Sequence, residues 1–176
     1  MIDRALIDNL NLKSRDFAIR WKNMVRKAQQ LKHYNEMTDE TLVERYIPFF
    51  PFLAKILDRG LDRNRLGSVF VNLGKSRMRD GFPISEVIYA MNILEKVIIE
   101  YITIEYAPEN SVKMYQSMGV VSQISEFFLL GCFYLTKGYL EAVYTGMNSH
   151  DSVSEELLKK YFKDDFFFKD TESGMN

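Results

Sequence analysis

From Ile84 to Tyr101 the apolar residues Ile84, Val87, Met91, Leu94, Ile98 and Tyr101 step by 3, 4, 3, 4 and 3 positions. Ala90, Ile93, Val97 and Ile104 form a second stripe beside them, and Ser85, Tyr89, Asn92, Lys96 and Thr103 are the narrow polar remainder. That period is helical, and a helix apolar around most of its circumference needs cover on more than one side. After the turn Ala107-Pro108-Glu109-Asn110-Ser111 the pattern resumes and continues to about Thr145. One seam holds Met114, Met118, Val121, Phe128, Cys132, Leu135, Tyr139 and Ala142; another holds Val120, Ile124, Phe127, Gly131, Tyr134 and Gly138. Two long antiparallel helices, 83–106 and 111–145, are therefore expected to dominate the second half.

The first half carries the same period in shorter pieces. Asn11 to about Leu31 reads as a helix with Leu12, Trp21, Met24 and Val25 available to one face. Thr38 is a suitable N-cap, with Asp39 and Glu40 in the first turn that follows. Pro48 and Pro51 kink or divide the next segment, and Gly60 closes it. A further helix covers roughly Leu61 to Arg79, with Leu66, Phe70 and Leu73 inward and Gly81 as its stop. No run alternates as a half-buried strand does. The expected fold is all-α, a helical bundle.

A chain of 176 residues makes a single domain the default, here 1–146, followed by a short helix and tail over 147–176. A net charge of −1 gives no field to attract nucleic acid or an anionic membrane. The single cysteine, Cys132, excludes an intramolecular disulfide framework and fits a reducing compartment. Asp3 and Asp8 interrupt what a signal peptide would need as an apolar core, so the expected address is cytoplasmic. Between Ser117 and Thr136 the only charge is Glu126, near the centre of the stretch. A central acid costs about 2.5–3.5 kcal/mol on insertion scales, which favours a buried soluble helix over a membrane span.

Catalytic chemistry finds little footing. Gly74-Lys75-Ser76 matches the end of a phosphate-binding loop, but its first glycine would have to stand where Val69 does. Without a glycine-rich turn there is no nest of N–H groups to hold phosphate. His33 and His150 lie most of the chain apart, and Cys132 has no companion thiol, so no metal site is expected. Glu95, Glu100 and Glu105 spiral around their helix and do not converge as an acid–base pair. No catalytic residue is assigned, and no enzyme is expected.

The joint Leu73-Gly74-Lys75-Ser76-Arg77-Met78-Arg79-Asp80-Gly81-Phe82-Pro83-Ile84-Ser85-Glu86 closes one helix on basic residues and a glycine and opens the next on a proline. It resembles the joint in the N-terminal domains of stressosome co-antagonists of the RsbR/RsbRD type. Trp21 in Phe17-Ala18-Ile19-Arg20-Trp21 and Tyr46 in Leu42-Val43-Glu44-Arg45-Tyr46 are similar to that pattern too, so the resemblance covers about 5–145. It implies a non-enzymatic sensor or regulatory input module, globin-like without haem, that acts on an output domain such as a STAS domain or a histidine kinase, or on a signalling partner. A haem would need a proximal histidine, and none stands between His33 and His150, so no cofactor is expected. The alternative is a protein–protein adaptor with no small ligand, with Phe166-Phe167-Phe168 as its docking element. Should a ligand pocket exist, Trp21, Arg77, Glu86, Tyr89 and Asn92 are its candidate residues, although Arg77 and Glu86 flank one corner and can equally pair to fix it.

Gly131 and Gly138 lie on one helix face, and each costs about 1 kcal/mol relative to alanine. The plain reading is a kink or a tolerated defect; the sharper one is close backbone approach of another helix, either within the fold or across a dimer interface. A homodimer joining two 83–106/111–145 hairpins into a four-helix bundle is expected, with Ile98, Tyr101, Gly131 and Gly138 at its interface. The tail opens with a capping box, Ser152-Val153-Ser154-Glu155, continues through Leu157, Leu158 and Tyr161, and reaches the three phenylalanines.

Overall fold

The computed structural model describes residues 4–60, 62–106 and 111–149, with the backbone alone at 111–114, 116 and 117. In order these form α1 (Arg4–Leu12), α2 (Ser14–Lys27), α3 (Lys32–Glu36), α4 (Asp39–Tyr46), α5 (Phe49–Arg59), α6 (Arg63–Arg79), α7 (Ile84–Glu100), a π-helical turn (Tyr101–Glu105) and α8 (Ser111–Asn148). No strand occurs among the described residues, and the fold is all-α as the periodicity requires. Two compact units divide the chain: one takes Met1–Leu61 with Tyr89–Phe128, the other Asp62–Ile88 with Leu129–Asn176.

In the first unit, α1 packs on α5 and α2 on α4. The α2 face Phe17, Ala18, Trp21 and Val25 is buried. Phe17 meets Phe50 at 5.2 Å and the edge of Tyr101 at 4.8 Å. Trp21 lies against Tyr46, ring centroids 3.8 Å apart, and its indole N–H donates to the Ala90 carbonyl at 2.9 Å. A buried indole N–H needs such an acceptor, so one hydrogen bond fixes how α2 lies against α7.

Arg26 ties the short elements together. Its Nη1 donates to the carbonyls of Tyr34 and Asn35 at 3.2 and 2.9 Å, and its Nη2 to that of Met37 at 2.5 Å. These carbonyls lie at and just past the end of α3, where intrahelical donors run out, that of Tyr34 also accepting from the Met37 N–H at 3.2 Å. Its Nε donates to Asp39, in the first turn of α4, at 2.9 Å, and Lys22 reaches the same carboxylate at 3.0 Å. The Lys22 and Arg26 donors hold the Asp39 carboxyl below its ordinary range. Thr38 caps α4 by accepting from the Thr41 N–H. Pro51 stands in the first turn of α5, where its missing N–H leaves no bond unmade.

Several boundaries depart from the sequence reading. The helix expected over 11–31 is split at Lys13, and Leu12, expected inward, ends α1 with 83% exposure. Met118, expected in a buried seam, is 64% exposed. Ile104 is 75% exposed, because the π-helical turn from Tyr101 interrupts the α-helical period that aligned Ile104 with Val97. A π turn closes i to i+5, here by Tyr106 N–H donating to the Tyr101 carbonyl at 2.9 Å, and advances less per residue than an α turn. The turn expected at 107–110 and the tail helix expected beyond 152 lie outside the described residues.

In the second unit the glycines explain the packing of α6 on α8. A Cβ on Gly74 would strike the backbone of Leu135 and Tyr139, and one on Gly138 the backbone of Val71. One on Gly131 would come within 2.9 Å of the Phe70 ring. Phe70 is thus level with Gly131, Gly74 with Leu135 and Tyr139, and Met78 with Gly146, so the two helices run in the same direction where they cross. The crossing is backbone to backbone, which side chains of any size forbid. Lys75 reaches over α8 to the buried Glu141 at 2.8 Å. Gly60 and Gly81 alone among the described residues take positive φ, +89° and +80°, and each ends a helix there.

Candidate functional site

The joint that closes α6 is a compact corner. Gly81 and Phe82 N–H groups donate back to the carbonyls of Met78 and Arg77 at 3.1 and 3.0 Å. The Arg77 guanidinium lies 5.5 Å from the Phe82 ring centroid and 3.4 Å from Asp80, and its Nε is buried without a hydrogen-bond partner. Glu86, in the first turn of α7, is also buried, where a carboxylate complements the positive helix end. Gly74-Lys75-Ser76 is continuous helix and shapes no phosphate cradle.

Of the five residues proposed for a pocket, Arg77 and Glu86 belong to this corner in the second unit. Trp21 is fully buried in the first unit, packed on Tyr46 and bonded to Ala90, so it lines no open space. Tyr89 and Asn92 are on the exposed side of α7 in that unit. The four residues proposed for a dimer interface are buried inside the chain. Ile98 and Tyr101 are core, and Gly131 and Gly138 face α6. Of the two kinds of close approach that those glycines allowed, the one present is within the fold.

Two grooves open on the surface among the described residues. One, of about 280 Å³, lies in the first unit between α2 and the end of α7, lined by Arg20, Asn23, Met24, Val97, Glu100, Ile104 and Glu105. Arg20 makes a forked contact with Glu105, one arm at 3.0 Å, which holds the Glu105 carboxyl below its ordinary range and raises the Arg20 guanidinium further. That pair pins the π-helical turn against α2.

The second groove, of about 590 Å³, runs along α8 in the second unit, beside Ile88, Leu129, Cys132, Phe133, Thr136, Lys137 and Leu140. Leu129 is 72% exposed, Phe133 58% and Leu140 36%. At spacings of 4 and 7 they form one stripe, on the side of α8 away from Gly131 and Gly138. The sequence reading assigned none of these three to a surface, because each sits among apolar neighbours and hydropathy does not say which side of an all-apolar helix is covered. Neither groove has a group of three or more His, Cys, Asp or Glu placed for a metal, and none occurs elsewhere among the described residues. The stretch Met118–Asn148 is long and apolar enough, at a mean hydropathy of 1.5, to cross a membrane by length and composition, and a third of its most apolar window is buried inside the protein.

No known family, no curated protein and no solved structure matches the chain.

Proposed function

We propose that this chain is a cytoplasmic, non-enzymatic signalling input domain of the stressosome co-antagonist type, acting on an output domain or a partner protein. The observation that carries the reading is the apolar stripe Leu129-Phe133-Leu140 with its groove. Large apolar residues contiguous on a surface mark a place where something binds. The joint from Leu73 to Glu86, with Trp21 and Tyr46, supports the choice of family. A signal is a change of packing, and the α6–α8 crossing supplies an element that cannot deform gradually: with glycine against backbone, a shift of either helix must be taken up as a whole.

Both grooves are open, which favours recognition of a protein surface over enclosure of a small ligand. The test is binding of the full chain to a purified STAS-domain output protein, followed by sedimentation velocity. A defined complex at micromolar concentration is expected, together with its loss in Phe133→Asp while the helical circular dichroism is kept. No complex at tens of micromolar, or an undiminished one with Phe133→Asp, refutes the assignment.

A further inference from the structure

The π-helical turn at the end of α7 stands between two contacts that exclude one another. A π turn closes on the fifth residue instead of the fourth and winds less per residue, so it sets successive side chains back around the axis. In that geometry Ile104 stands in solvent at 75% exposure, and Glu105 meets the Arg20 guanidinium of α2. Continued as α-helix at about 100° per residue, the same side chains would point elsewhere. Ile104 would fall within about 20° of Val97, which is buried two turns earlier. Glu105 would fall in line with Ile98, about a quarter-turn further round and away from Arg20.

Room for the second arrangement is present. The groove of about 280 Å³ between α2 and α7 has Met24 and Val97 in its wall and Ile104 among its lining residues, so an inward turn of Ile104 would fill space that is already apolar on two sides. The residue at which the geometry changes is fixed. Tyr101 is buried edge-on to Phe17 at 4.8 Å, with the Lys13 ammonium 5.6 Å from its ring centroid. The Thr103 hydroxyl donates to the Ile99 and Glu100 carbonyls at 2.8 and 3.4 Å, where α bonding gives way to π bonding. A change of winding is therefore confined to the residues after Tyr101.

We propose that Tyr101–Glu105 is a two-register switch, with a π register closed by the Arg20–Glu105 pair and an α register closed by Ile104 seated against Met24 and Val97. An exposed ion pair and the burial of one aliphatic side chain are both modest terms, so side chains set the balance and neither register is locked. Passage from π to α removes the extra residue of the wide turn and advances Tyr106 along and around the helix. A small event at Arg20 thereby becomes a discrete shift of backbone at the end of α7. Every residue of the switch belongs to the first unit, so the proposal goes beyond the assignment of the α8 stripe and does not rest on it.

The test is methyl NMR on the full chain labelled at Ile, Met and Val methyls, with the Ile104 signal assigned through Ile104→Val. Solvent access is read as relaxation by a neutral gadolinium chelate. In wild type the Ile104 methyl should relax fast. In Arg20→Gln, and separately in Glu105→Gln, its enhancement should fall by about fivefold or more as the population passes to the α register, with new NOEs to Met24 and Val97. Arg20→Lys, which keeps the charge and loses the fork, should fall between. Truncation gives an independent reading. Ile104→Ala should change the unfolding equilibrium constant by less than about twofold in wild type and by about tenfold in Arg20→Gln, where the side chain has become core. An Ile104 methyl as accessible in both variants as in wild type overturns the proposal. Protection without contacts to Met24 and Val97 does the same, as do equal truncation effects in the two backgrounds. Should Arg20→Gln fail to fold, Glu105→Gln decides by the same criteria. These outcomes leave the input-domain reading as it stands, and loss of STAS binding with the methyl shift intact would fail that reading alone.

Discussion

Replacing Gly138 with alanine should destabilise the protein even though alanine is the better helix former. An ideal Cβ at Gly138 lies 2.7 Å from both the carbonyl carbon and the Cα of Val71, and closer still to the carbonyl oxygen. Carbon atoms rest comfortably about 3.5–4.0 Å apart, so α6 and α8 would have to separate by about 1 Å. The obstacle is main chain on the opposing helix, which cannot rotate aside as a side chain does. Parting the helices also loosens the Gly74 contact with Leu135 and the Gly131 contact with Phe70. Overpacking of this kind costs about 1–3 kcal/mol, and backbone against backbone belongs at the upper end or beyond. Alanine returns about 1 kcal/mol of helix propensity, which leaves a net loss of about 2 kcal/mol or more.

For a chain of this size that loss lowers Tm by about 4–8 °C in thermal unfolding followed by circular dichroism. Gly119→Ala is the internal control. It lies on the same helix with nothing within 4 Å of its would-be Cβ, so only the propensity gain operates and Tm should rise by about 2–4 °C. Gly146→Ala meets only the Met78 Cε at 3.8 Å, an ordinary contact, and should also stabilise. Gly74→Ala should behave like Gly138→Ala. A Gly138→Ala protein that melts at or above the wild type would refute the crossing geometry, and so would equal shifts at 119 and 138. Because Gly138 faces α6, its effect on stability appears whether or not the chain self-associates.

Arg26→Ala should cost about 2 kcal/mol in urea unfolding, because it strips three backbone carbonyls at the end of α3 and the Asp39 carboxylate of a charged donor; a loss under about 0.5 kcal/mol would show that water replaces it freely. Asp39 and Glu105 both have folded values below their ordinary 3.8 and 4.5, so their stabilising contributions are complete above those values and fade as pH falls through the folded ones. Chemical stability should therefore be insensitive to these two groups between pH 5 and 7 and decline below about pH 4, and Arg20→Gln with Lys22→Gln should flatten that acid limb. Trp21→Phe should cost about 2–3 kcal/mol, since it removes the indole donor that the Ala90 carbonyl accepts besides its helical one and opens a void beside Tyr46; retention of the wild-type midpoint would argue against the buried hydrogen bond. The purified chain should show no haem absorption band, and a band that shifts on reduction would overturn the haem-free reading.

The fold class was legible because apolar spacing at 3 and 4 residues recurs through the chain, and because the stop signals carry their own chemistry. Gly60 and Gly81 end helices at positive φ, and Thr38 caps the helix that follows it. Period alone could not reveal where the helical geometry itself changes. Ile104 reads as inward only if the turn before it is α-helical, and the π-helical turn at Tyr101–Glu105 moves it out to solvent. Nor does any local residue type announce the break at Lys13, where no side chain caps α2. Two compact units also lie outside what composition can show, because α7 and α8 each contribute to both while their apolar pattern continues without interruption.

The candidate site was harder to read, for a reason that also says where its chemistry resides. Arg77, Glu86 and Trp21 stand out in a sequence because they are polar or rare. Buried groups of that kind are most often taken up by structure, as here by a corner and a core hydrogen bond. Gly131 and Gly138 stood out as well; assigned from the sequence to a dimer interface, they face α6 within the fold. Once that partner is known, the exposed side of α8 follows from geometry. Residues about half a turn from Gly131 and Gly138 must face away from α6, and Leu129, Phe133 and Leu140 are among them. An apolar stripe on the solvent side of a helix already fixed by glycine packing contributes nothing to that packing. Its presence therefore calls for an occupant from outside that packing, as a docking face on a signalling domain does.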